Sequence, residues 1–214
     1  PGPAGTVVTT FATRGRAQLV GEPSGPPIEE TVASVMPYAH RSLAGWRAVH
    51  SVWTVFARLA EPVLAATAQR IVASAKGPRE KARALYRFVV EQIDDEGALA
   101  DDPGLVLARR RGSRAVLFLA LSEAAGLPAE LWMARPRTRG EGPPAPSAAE
   151  QLSYPLVHLD LPDGALTIDL GSRHAPFGHL APEVRGVVAM VVPDPARQAA
   201  VGATEFVIVH RGAF

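Results

Sequence analysis

Ser113, His158 and Asp169 have the side-chain types of a hydroxyl nucleophile, a general base and the carboxylate that orients it. Such a trio would attack an amide or ester carbonyl, provided the imidazole lies about 2.6–3.2 Å from the hydroxyl. The plainer reading makes Ser113 a helix cap and His158 a polar residue near a strand edge. No cysteine occurs in the 214 residues, which removes thiolate nucleophiles, thiolate metal sites and disulfides together.

Other clusters invite the same scrutiny. Arg109, Arg110, Arg111 and Arg114 surround Ser113, and guanidinium groups at a helix N-terminus could hold a carboxylate or phosphate. A solvated charge run with one structural ion pair is the simpler account. His174 and His179 flank Ala-Pro-Phe-Gly with no third ligand close in sequence, so they read as loop residues rather than a metal site. Asp94, Asp95, Glu96, Asp101 and Asp102 lack the spacing and central glycine of a calcium loop and read as solvated. Trp46 and Trp53 fall on one helical face and read as packing residues. No glycine motif cradles a phosphate, and no cofactor is expected.

The elements that must position these groups follow from periodicity. "GPREKARALYRFVVEQI" is an amphipathic helix: Pro78 suits its first turn, and Ala82, Leu85, Tyr86, Val89, Val90 and Ile93 form one apolar stripe. Helical spacing also runs through 42–75, where Pro62 should kink or divide it. "LARRRG" reads as a loop. It leads into a helix over 113–125 that is apolar on nearly all sides and therefore surrounded by other elements. Ser113 can cap that helix, Gly126 can take the left-handed position after it, and Pro128 prevents continuation.

Strands are expected at 129–134, 154–161, 165–170, 186–192 and 204–210, with Pro162-Asp163-Gly164 as a hairpin turn. The Pro- and Gly-rich stretch 135–153 should be a mobile surface loop. Short β-like runs in 5–20 suggest a hairpin or the tail of a preceding β-rich domain. Helices followed by mostly antiparallel strands give an α+β fold. The expected division is a tail or linker over 1–41, a core over 42–192 and a C-terminal strand in 193–214.

A hydrophobic content of 47% and a charged content of 20% describe a globular chain, long enough for one sizeable domain. Formal net charge is +1, so no global field draws it to nucleic acid or to an anionic membrane. No run of 18 apolar residues could span a bilayer. The chain opens on Pro1, and the expectation is a piece of a longer protein whose leader, if any, lies upstream.

Four stretches then carry a family likeness: "PREKARALYRFVVEQI", "RRRGSRAVLFLALSEAAGLPAEL", "YPLVHLDLPDGALTIDL" and "RHAPFGHLAPEVRGVVAMVV". In this order they resemble transglutaminase-like proteins, in particular the bacterial subgroup with a preceding β-rich domain. The resemblance implies a papain-like fold, helices packed on an antiparallel sheet, and a Cys–His–Asp site. It also implies export to the periplasm or cell envelope.

Carried over residue by residue, the cysteine position falls on Arg111, or on Ser113 with a two-residue shift. The histidine position falls on Leu156, and the aspartate position on Asp169. His158 shares a strand face with Leu156 but lies about 7 Å further along, so it would not complete a triad built for position 156. Arginine cannot serve as nucleophile, because guanidinium stays protonated. The expectation is a degenerate, non-catalytic domain that binds a protein or peptide, with a hydrolase using Ser113, His158 and Asp169 as the competitor.

Overall fold

The computed structural model describes residues 54, 61–96, 102–139, 151–192, 194 and 206–209. The hairpin expected in 5–20, the helix bearing Trp46 and Trp53, and residues 140–150 of the long loop lie outside them.

Pro62 divides the helical stretch by opening a helix of its own. Helix α1 spans Pro62–Val72 with the proline in its first turn, where the missing N–H costs nothing. Helix α2, Pro78–Gln92, begins the same way and buries Ala82, Leu85, Tyr86, Val89 and Val90, the stripe read from the sequence. After it, β1 (Asp94–Asp95) pairs in parallel with β2 (Arg111–Gly112). Between them lies α3, Pro103–Arg109, in part of the stretch taken for a loop. Its basis is local: the Asp102 carboxylate accepts the Leu105 N–H at 2.9 Å, Pro103 sits in the first turn, and Arg110 ends the helix in the left-handed conformation.

Helix α4, Arg114–Ala124, is the centre of the molecule. Every residue from Arg114 to Ser122 is buried, and the helix packs against α1, α2, α3 and two strands. Ser113 caps it and Gly126, at φ 75°, ends it, as the sequence indicates. The strands are β3 (Ala129–Ala134), β4 (Tyr154–Leu159), β5 (Leu166–Ile168), β6 (Val188–Val191) and β7 (Phe206–Ile208). They form one antiparallel sheet in the order β5-β4-β3-β6-β7.

The pleat sends alternate residues to two cores. Leu131, Met133, Val157, Leu159, Ile168 and Met190 face the helices. Trp132, Ala134, Leu156, Ala189 and Val191 face a second cluster closed by Leu180, Val184 and Val187. The architecture is the expected α+β one, helices packed on one face of an antiparallel sheet. Among the described residues no helix is long and apolar enough to cross a membrane.

Candidate functional site

The site begins at the N-terminus of α4. Ser113 is buried, and its Oγ accepts the Val116 N–H at 3.3 Å, so the hydroxyl serves the helix end. Arg111, two residues earlier, lies on β2 with its side chain largely exposed and paired with Glu96. Arg110 lies over the ring of Phe88, 5.2 Å from its centroid. The four arginines therefore do not converge on one anion.

Arg114 departs furthest from its sequence reading. It is 4% exposed, and its guanidinium donates from Nε to Ile93 O at 2.9 Å, from Nη1 to Leu170 O at 3.1 Å and from Nη2 to Val90 O at 3.3 Å. The α2 helix ends there, and the Asp94 N–H bonds Arg110 O rather than reaching back to Val90. Arg114 thus caps the C-terminus of α2, where carbonyls are orphaned and a cation suits the dipole. The same side chain ties α2 to the segment leaving β5. Burial pulls its pKa below the ordinary guanidinium range, with Asp95 the strongest opposing charge.

Asp169 follows β5 and is buried. Its carboxylate accepts from three donors: the Tyr154 hydroxyl, 3.0 and 3.2 Å from its two oxygens, Gly171 N–H at 2.9 Å and Ala181 N–H at 2.9 Å. Among the described residues, no imidazole and no arginine touches it. The side chain at Asp169 is a phenol, from a residue that the sequence reading passed over. Burial chiefly, then the Asp169 charge and the hydrogen bond to it, push the Tyr154 pKa far above the usual phenol range. The hydroxyl stays a neutral donor at ordinary pH and offers no basic group to a substrate.

The register explains why Tyr154 arrives there. Leu159 pairs with Leu166 and Val157 with Ile168 across the Pro162-Asp163-Gly164 turn. Continued outward, the same register sets Tyr154 opposite Gly171, diagonal to Asp169. A Cβ on Gly171 would stand 2.7 Å from Tyr154 Oη, so glycine makes room for the phenol. Leu156, where the family resemblance put histidine, is fully buried in the second core opposite Trp132.

His158 lies elsewhere. Its ring stacks on Trp132, centroids 4.0 Å apart, with Nδ1 3.1 Å from Thr167 Oγ1 and Nε2 3.4 Å from Asp160 Oδ1. It hydrogen-bonds neither Ser113 nor Asp169, so the three residues that could form a triad do not form one. His174 is exposed, while His179 Nε2 meets Arg185 Nη2 at 3.0 Å. Asp94 and Glu96 are exposed, yet each pairs with an arginine, Arg173 and Arg111 respectively.

With this geometry established, the likeness to known proteins concerns the fold. A candidate protease from Parabacteroides distasonis superposes with a TM-score of 0.55 at 12% identity, over 80% of this chain and 32% of that one. The fold is shared. This chain spans about a third of that protein's length. A candidate cysteine protease from Cytophaga hutchinsonii superposes with a TM-score of 0.42 at 14% identity, over 68% of this chain and 48% of that one. No family model and no curated protein matches the sequence. The α+β architecture expected from the sequence is therefore also that of a solved structure.

Proposed function

We propose that this chain is a degenerate, non-catalytic domain of the transglutaminase-like kind, serving as a protein-interaction or structural module of a larger bacterial protein. The observation that carries this reading is the partner of Asp169. In a papain-like site the aspartate orients an imidazole, which in turn takes a proton from the nucleophile. Here the carboxylate binds the Tyr154 hydroxyl and two backbone N–H groups. A neutral phenol cannot take the proton from a weak nucleophile at ordinary pH.

Two further facts support the same conclusion. Cysteine is absent, and Arg111, at the sequence-derived nucleophile position, is a charged side chain paired with Glu96. Against a serine hydrolase stands His158, whose ring nitrogens meet Thr167 and Asp160. Export to the cell envelope belongs to this proposal through the family resemblance alone. So does the division into a preceding segment 1–41, a core 42–192 and a terminal strand in 193–214.

Incubation with glutamine peptides and amine donors tests the reading. No ammonia release and no amine incorporation is the expected outcome. Turnover that disappears in Asp169→Ala would overturn it.

A further inference from the structure

An open groove of about 410 Å³ lies between α2 and the segment 173–177, within the range of about 300–1,000 Å³ typical of small-ligand sites. Its apolar lining is Ala175, Pro176 and Phe177 together with Tyr86 and Val90, which are each only 4% exposed. Those side chains are held in place. Tyr86 Oη donates to Ala175 O at 2.8 Å, and the Tyr86 and Phe177 rings meet edge to face with centroids 5.5 Å apart. Arg83 and Arg87, one turn apart on α2, line one side and Arg173 the other.

The three guanidiniums are not equally committed. Arg173 is paired with Asp94. Arg87 reaches Glu91 only at 3.9 Å, with both side chains more than half exposed, a pairing worth little in solvent. Arg83 lies over the Phe177 ring, 5.4 Å from its centroid, and has no carboxylate partner among the described residues. Its planar fork of donors remains open to a planar anion. Glu91 and Asp94 nearby disfavour a doubly charged phosphate, so the surplus of positive charge suits a single negative charge.

We propose that this groove binds a carboxylate carrying an apolar body, the C-terminal end of a peptide chain, with Arg83 on the carboxylate and Phe177, Tyr86 and Val90 under the side chain. The volume accommodates terminal residues rather than a long segment. The inference deepens the interaction-module reading and rests on it, by naming the site and the chemistry of the partner. A free branched-chain acid presents the same two features and is the alternative source.

Calorimetric titration of the full chain with acetyl-Ala-Leu bearing a free carboxylate, the same peptide as its amide, and 4-methylpentanoate tests it. The acid peptide is expected to bind at least about tenfold more tightly than the amide, since a charge-assisted bidentate contact is lost. Arg83→Gln should weaken the acid by a similar factor, and Arg87→Gln by less. Both side chains are exposed, so circular dichroism should report an unchanged fold. Tighter binding of the peptide than of 4-methylpentanoate identifies a chain end as the source, and equal binding identifies the free acid; the site stands in both cases. Equal binding of acid and amide, no binding of either, or an unaltered affinity in Arg83→Gln overturns it. Leucine or ammonia release in the same mixtures would instead overturn the non-catalytic reading and leave the carboxylate preference intact.

Discussion

Replacing Arg114 by methionine should cost the fold about 3 kcal/mol. The guanidinium donates to three carbonyls, Val90 and Ile93 at the end of α2 and Leu170 beyond β5. Methionine fills similar space but leaves those acceptors without a donor. Each lost partner costs roughly 1–3 kcal/mol, while removing a buried cation returns part of its desolvation cost, so the sum falls well below three full losses. Against a total stability of about 5–15 kcal/mol this is a large fraction. In urea, with a slope of about 2 kcal/mol/M, the unfolding midpoint should fall by about 1.5 M. Arg114→Lys should recover only part of the loss, because one ammonium cannot span three acceptors on separate segments. A midpoint shift below about 0.3 M for Arg114→Met would refute the reasoning, since the carbonyls would then have other donors.

Gly171→Ala should destabilise by about 1–3 kcal/mol, because the added Cβ meets Tyr154 Oη at 2.7 Å while Asp169 holds that hydroxyl. Tyr154→Phe removes the obstructing oxygen, so the glycine substitution should cost less in that background, a coupling that a double-mutant cycle reads directly. Stability should also depend on pH at the alkaline end. The Tyr154 pKa is raised in the folded state, so its contribution is complete below the unfolded phenol value of about 10 and is lost as pH rises through the folded value. Denaturant midpoints should therefore fall above about pH 10, less steeply in Tyr154→Phe; an identical slope in the two proteins would contradict the assignment.

How far the chain could be read in advance depended on how local each signal was. Ser113 and Gly126 bracket α4, and Pro162-Asp163-Gly164 marks a hairpin, because caps and turns are decided by neighbouring residues. Helix α3 was hidden by Arg109 and the two arginines that follow it, which resemble a solvated run, although Asp102 before Pro103 is a start signal in its own right. Arg114 gave no local sign of burial, since its acceptors lie 21, 24 and 56 residues away in sequence. The partner of Asp169 was legible in principle. Counting outward from the hairpin turn brings Tyr154 near it, whereas matching an expected histidine pattern stops at Leu156.

The central claim is that His158 does not meet the Ser113 hydroxyl at the mouth of α4. Treating the folded chain with a fluorophosphonate and measuring its intact mass tests that claim most directly, because only an activated serine reacts at stoichiometric level. The account predicts an unmodified Ser113. A full adduct on Ser113 that disappears in His158→Ala would contradict it.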